Sequence, residues 1–257
     1  MRYAFADSDV AARRLGVVAD VFAGSTTAFL AAAVCRAPAL VLDLGCGPGL
    51  STHLLATVTG ARRTVGLDSS EAFIAAASRT ATATVSFRRH DVTRVPFPVG
   101  SAELAYCRFL LTHLPDPAAV LSAWVTTLAP GALLVAEEVE RIETTSGTFR
   151  EYLAIVEALL ARSGGALYVG GRLDGLGDAG ALRRCSSTVT RLPVADRRAA
   201  AMFALNLAAW GHDRDLRARH GEESLARLGA LLRATAERAD DDSTITWGLR
   251  QIVFERT

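Results

Sequence analysis

A chain of 257 residues, half of them apolar, can form one large α/β domain or a domain with an attached subdomain. Its formal net charge is +1, every positive residue is arginine, and no basic block forms, which argues against a sequence-independent nucleic-acid footprint. The four cysteines (Cys35, Cys46, Cys107 and Cys185) are too scattered for a disulfide framework or a zinc site and suit a reducing cytoplasm.

From Val10 to Ala33, the spacing of Leu15, Val18, Phe22 and Phe29 predicts a helix, with a break near Gly24-Ser25. The apolar run Phe29 to Val34 is then shorter than the roughly 20 residues a bilayer span needs, so no membrane segment is expected. After Pro38, the run Ala39 to Leu44 reads as a buried parallel strand that ends in glycines. A second strand covers Thr64 to Leu67, followed by a helix capped by Ser69 or Ser70. Thr84 to Phe87 and Glu103 to Cys107 read as strands three and four. Asp116-Pro117 opens a helix through Leu128, and Ala132 to Ala136 is a fifth strand after Ala129-Pro130-Gly131. Strands alternating with helices imply a doubly wound, mostly parallel sheet.

The second half reads differently. Thr148 to Glu151 matches a capping box before a helix, and the glycine-rich stretch Gly170 to Gly180 leads to a short helix near Ala181-Leu182. A strand at Ser186 to Leu192, helices at Asp196 to Trp210 and Glu222 to Arg238, and a last strand at Thr244 to Phe254 follow. His212 and His220, with Asp213 and Asp215, lack a metal-ligand register and read as solvated loop.

The chemistry centres on Asp43-Leu44-Gly45-Cys46-Gly47-Pro48-Gly49. Such a loop after a first strand lets the main chain approach a ligand in the crevice where strand order reverses. Dinucleotide binding requires glycine at the position of Leu50, so that fingerprint fails. The D-x-G-x-G-x-G spacing resembles cofactor motif I of the class I S-adenosylmethionine-dependent methyltransferase family, small-molecule type. Similar segments follow in order: Asp68-Ser69-Ser70 ending strand two, His90-Asp91-Val92 after strand three, Leu104 to Leu114 around Arg108, and Ala129 to Val135. The resemblance spans residues 39 to 138 closely and the final strand loosely.

That resemblance implies S-adenosyl-L-methionine as cofactor. It places Asp43, Gly45, Cys46, Gly47 and Gly49 at the loop, with Cys46 as a small loop residue and no nucleophile. It also sets Asp68 and Ser69 at the ribose, Asp91 and Val92 at the adenine, Arg108 beside the cofactor, and Tyr3 closing over it from the N-terminal segment. Glu137, Glu138 and His113 are the candidates to lie beside the methyl acceptor, and His113 reads equally as a partly buried packing residue. No third acid and asparagine accompany Glu137-Glu138 in the order of the catechol-type enzymes, so a metal-free reaction is expected. The missing N-P-P-Y or D-P-P-Y sequence after strand four turns the expectation toward a small, natural-product-like acceptor.

The expected architecture is an N-terminal helical segment (1–38), a Rossmann-like core (39–140), and a helical lid with the last strands of a seven-stranded sheet (141–257). The expected enzyme is cytoplasmic, binds a small-molecule substrate with no nucleic acid or membrane, and admits a homodimer. Cyclase-like chemistry on the same cofactor, or regulatory binding without turnover, are the alternatives.

Overall fold

A computed structural model describes residues 9–176, 180–238 and 243–257. Tyr3 lies outside the described residues.

Helix α1 (Asp9–Ala33) runs without interruption. The expected break at Gly24-Ser25 does not occur, because packing outweighs the roughly 1 kcal/mol a mid-helix glycine costs. Val18, Phe22, Thr26 and Leu30, at helical spacing, are buried against the sheet, and Ser25 Oγ accepts from Gln251 Nε2. The unbroken helix also makes the apolar stretch Arg14–Ala33 long enough to cross a bilayer by length and composition. Its buried stripe is spent on the protein's own core.

The core then alternates: β1 (Leu40–Leu44), α2 (Leu50–Thr59), β2 (Arg63–Asp68), α3 (Glu71–Ser78), β3 (Val85–Arg89), β4 (Ala102–Arg108), α4 (Pro117–Trp124) and β5 (Leu128–Glu143). Asp116 caps α4 by accepting from the Ala119 N–H, with Pro117 in the first turn. A 3₁₀ turn, Val125–Thr127, ends that helix sooner than the apolar pattern suggested. β5 starts earlier and runs farther than expected, since β4 pairs with it from Leu128 to Glu137 and a later strand from Leu133 to Glu143.

Next come α5 (Gly147–Arg162), α6 (Gly170–Asp174), β6 (Leu182–Ala195), α7 (Asp196–Trp210), α8 (Arg214–His220), α9 (Glu222–Ala236) and β7 (Thr244–Arg256). Three expectations are corrected here. The cap of α5 is Ser146, whose hydroxyl accepts from the Phe149 N–H, not Thr148. The short helix is Gly170–Asp174, and Leu182 instead begins β6. Asp213 caps α8, so His220 ends a helix and does not lie in a loop.

The seven strands lie in the order β3-β2-β1-β4-β5-β7-β6, with β7 antiparallel to both neighbours and the other pairings parallel. Strand order reverses between β1 and β4, where doubly wound sheets open a crevice. One sheet face carries Leu30 of α1 and Leu55 of α2 with Tyr106 and Val135. The opposite face packs Leu121 and Trp124 against Leu42, Val65 and Leu134. A third apolar cluster packs α5, α7, α9 and the start of α1 against Val139 of β5 and Ile245, Trp247 and Leu249 of β7.

Candidate active site

The glycine loop joins β1 to α2 with alternating left-handed residues, Gly45 at φ 72°, Gly47 at φ 53° and Gly49 at φ 92°. Two of these positions exclude any side chain. A Cβ at Gly45 would stand 2.8 Å from Leu110, and one at Gly49 would stand 2.7 Å from Phe87. Asp43, buried below the loop, accepts from the Ser51 and Thr52 hydroxyls, both at 2.7 Å and both through Oδ2. Burial raises its pKa to about 6 despite those two bonds. Cys46 is buried, and desolvation pushes its thiol well above the ordinary range, which disfavours the reactive thiolate.

Asp68, at the end of β2, braces this loop. Its Oδ2 accepts from the Gly47 N–H at 2.9 Å and its Oδ1 from the Ser70 N–H at 2.8 Å. Ser70, not Ser69, caps α3 by accepting from the Phe73 N–H. Asp91 follows β3 and accepts from both the N–H and the hydroxyl of Thr93. Burial raises the Asp91 pKa, but those bonds outweigh it and hold the carboxyl below the usual range. The Val92 carbonyl accepts from Trp124 Nε1 at 2.7 Å, which anchors that loop to α4. Gly45, Cys46, Gly47, Asp68, Ser69, Asp91 and Val92 all border one cavity, and Asp43 and Arg108 reach it as well. Gly49 is not part of the lining; it turns the chain into α2.

Arg108 and Phe109 both border this cavity. Arg108 donates from Nη1 to Thr26 Oγ1 at 2.9 Å, and its guanidinium lies 5.7 Å from the Phe109 ring centre. Among the described residues Phe109 is the sole non-glycine at positive φ, 53°. An aromatic residue there stores roughly 1–3 kcal/mol of strain. The Phe109 N–H donates to the Glu137 carbonyl, and its ring meets Phe22 edge-on with centroids 4.9 Å apart. The surroundings thus over-determine the strained conformer.

The two glutamates, expected beside the acceptor, do not line the cavity. Both side chains are fully buried on opposite faces of β5. The Glu137 carboxyl accepts from Tyr106 OH at 2.7 Å and Gln251 Nε2 at 2.9 Å. Glu138 Oε1 accepts from the N–H groups of Leu110 and Leu111, at 2.9 and 2.7 Å. It therefore holds the turn after β4, the one that carries His113. Their expected position at a strand end failed because β5 continues past them to Glu143, held there by its pairing with β7.

Burial raises the Glu138 pKa to about 8, against the lowering effect of those backbone bonds. The proton is then bound more tightly in the folded chain than in the unfolded one, whose carboxyl titrates near 4.5. Stability from this group is complete below about pH 4.5 and is lost as pH rises through about 8. Glu138→Gln, which keeps the accepting oxygen and cannot ionise, is expected to raise the melting temperature at pH 8.5 and flatten its fall from pH 5. Parallel thermal melts of the two proteins check this, and an unchanged slope refutes it.

His113 does reach the cavity, in the turn Leu111–His113, with 7% of its surface exposed. Burial, helped by the charge on Arg14, lowers its pKa to about 3, so the ring is neutral near pH 7. A base matched to neutral pH needs a pKa near 7, and His113 lies far below.

A set of apolar residues that the sequence motifs did not mark also lines the cavity and forms a chamber within it. Phe22, Val139, Ile142, Val156, Met202 and Trp247 supply apolar surface from five elements. Tyr152 stacks on Phe203 with centroids 4.1 Å apart and planes at 20°. Three polar side chains interrupt the apolar faces of their helices: Arg14, Tyr152 and Asn206, all less than one-tenth exposed. A polar residue inside a buried stripe, such as Asn206 between Phe203 and Leu207, is the signal that could have pointed here. Among the described residues no group of three or more His, Cys, Asp or Glu side chains could hold a metal ion.

A seven-stranded sheet with this order, a glycine loop after β1 and acids closing β2 and β3 define the class I fold of S-adenosylmethionine-dependent methyltransferases. Residues 41–131 match the family model described as "Methyltransferase domain". The chain is 36% identical over 110 residues to a trans-aconitate 2-methyltransferase of Methylobacterium nodulans, covering 43% of this chain and 42% of that one. It thus spans less than half the length of that relative. A chain from the Haloferax volcanii complex between the Trm112 methyltransferase activator and a methyltransferase is similar across the whole molecule. There the TM-score is 0.63 at 18% identity, covering 100% of this chain and 99% of that one. Coclaurine N-methyltransferase, bound to N-methylheliamine and S-adenosylhomocysteine, shares the fold with a TM-score of 0.57 at 15% identity, covering 91% and 72% of the two chains. Residues 41–131 are thus similar to a methyltransferase domain, and with the class I fold around them that similarity supports an S-adenosylmethionine-dependent methyltransferase with S-adenosylmethionine as cofactor.

Proposed function

We propose that this protein transfers the methyl group of S-adenosylmethionine to a largely apolar small molecule, with no metal. One observation carries the reading: the polar cradle of Asp43, Asp68 and Asp91 and the aromatic-walled chamber line one cavity, which Arg108 and Phe109 also border. Asp68 takes the ribose hydroxyls, Asp91 and the Val92 N–H the adenine edge, and Asp43 the amino group of the methionine part. Arg108 lies beside the cofactor. The helices of residues 141–257 act as a lid over the acceptor, and buried free thiols at Cys46 and Cys107 suit a cytoplasmic setting.

The donor sulfonium is already activated, so the protein's task is to align the acceptor atom behind the methyl group and exclude water. Alignment of this kind can supply about 7–11 kcal/mol. With a neutral, weakly basic ring, His113 positions the acceptor by hydrogen bonding and does not take its proton. His113→Ala is therefore expected to lower kcat/KM by about tenfold or less, short of the roughly 10²–10⁴ a general base contributes.

Trans-aconitate carries three carboxylates, whereas the cavity lining offers two arginines among the described residues, Arg14 and Arg108. The chamber suits a flat, apolar acceptor better. Incubation with methyl-labelled cofactor tests this against 2-hydroxy-9-fluorenone, 2-hydroxyfluorene and trans-aconitate. Label in a fluorene product and none in trans-aconitate is the expected result. Label in trans-aconitate alone, or in no product, would overturn the reading.

A further inference from the structure

Arg14, Asn206 and Tyr152 form a one-way chain of hydrogen bonds in the chamber wall. Arginine can only donate, so the 3.0 Å contact from its Nη1 fixes Asn206 with Oδ1 toward Arg14. The amide nitrogen of Asn206 must then face Tyr152, to whose oxygen it donates at 2.6 Å. With that lone pair engaged, the phenol retains its single hydrogen for donation, and no described residue accepts it. All three side chains border the chamber, whose wall is otherwise largely aromatic or aliphatic, with His113 and Thr112 also lining the cavity. A buried polar chain is costly unless its last donor is satisfied.

We infer that the Tyr152 hydroxyl is the specificity-determining contact for the acceptor, donating to a carbonyl oxygen on a flat aromatic molecule. The inference rests on the proposed methyl transfer to an apolar small molecule and names its chemical class. Each member of the chain polarises the next, and the guanidinium at its head strengthens the terminal O–H as a donor. Burial pushes the Tyr152 phenol up, so it keeps its proton through neutral pH. Its stacking on Phe203, with Phe22 and Trp247 nearby across the wall, presents flat surfaces to a flat ligand.

The matched pair 2-hydroxy-9-fluorenone and 2-hydroxyfluorene differs only in a carbonyl against a methylene. Their affinities are to be measured by tryptophan fluorescence on the full chain loaded with S-adenosylhomocysteine, in the wild type and in Tyr152→Phe. The wild type is expected to bind the ketone about tenfold more tightly, the worth of one hydrogen bond. Tyr152→Phe should lose that preference while binding hydroxyfluorene as before, which also shows that the chamber has kept its shape. Equal binding in the wild type, a preference that survives Tyr152→Phe, an equal fall for both ligands, or no binding of either would each overturn the inference. Tyr152-dependent binding without methyl transfer would sink the proposed reaction and leave the recognition intact. Transfer to both compounds with no role for Tyr152 would do the reverse.

Discussion

Asp68→Ala is expected to weaken binding of S-adenosylhomocysteine about a hundredfold. In the proposed complex the carboxylate accepts two ribose hydroxyls, and hydrogen bonds to a charged group contribute about 1.5–3 kcal/mol each. Two bonds at the lower figure already amount to about a hundredfold. The same side chain ties Gly47 to Ser70, linking the glycine loop to the start of α3, so the cradle loses its brace together with its ligand contact. Asp68→Asn keeps one accepting oxygen, while its amide group faces either a backbone N–H or a ribose hydroxyl, and an intermediate loss is expected. Calorimetric titration of both variants checks the order. Undiminished affinity in Asp68→Ala would move the ribose contact elsewhere.

The second large effect falls on stability. Glu137→Ala removes the acceptor of Tyr106 OH and one of the two acceptors of Gln251 Nε2, in a part of the sheet with no access to water. An unsatisfied buried donor costs about 1–3 kcal/mol, and the vacated space adds to it. A loss on the order of 3 kcal/mol corresponds to a melting temperature lower by roughly 10 °C in a domain of this size. The surviving folded fraction should bind cofactor normally, because the carboxyl does not border the cavity. Thermal melts together with S-adenosylhomocysteine titration separate this structural role from a catalytic one. A stable Glu137→Ala protein with abolished turnover would restore Glu137 as a candidate in the reaction.

His113 and Glu138 oppose each other in pH. The ring's pKa is lowered in the fold, so its contribution is present above about 6.5 and is lost as pH falls toward about 3. Glu138 contributes in the opposite sense, and the two slopes offset each other between about pH 4.5 and 6.5. The Glu138→Gln protein should therefore show a steeper acid-side loss across that window, read from the same melts.

The glycine loop and the strands around it were legible in the sequence because their signals are local. The run Ala39 to Leu44 is a strand buried on both faces, and its glycines mark the positions where a side chain would collide. Asp68 and Asp91 stand out as acids ending apolar strands. The acceptor half depends on contacts across long stretches of chain. Glu137 and Glu138 resemble a solvated catalytic pair until Tyr106 and Gln251, from two other strands, are brought alongside. Leu182 begins an edge strand because β7 offers it hydrogen bonds, although Leu182-Arg183-Arg184-Cys185 does not alternate. Arg14, Tyr152 and Asn206 come from three helices, and only folding joins them.

The continuity of α1 has a metric consequence. Arg14, at the head of the polar chain, and Thr26, the partner of Arg108, ride on the same unbroken rod, twelve residues apart. At 1.5 Å per residue their separation along the axis is about 18 Å. On the proposed reading the rod works as a ruler, setting how far the recognised end of a guest lies from Arg108. One extra turn inserted between Phe22 and Thr26 would lengthen that gauge by about 5.4 Å, moving methylation along the guest and not merely weakening it.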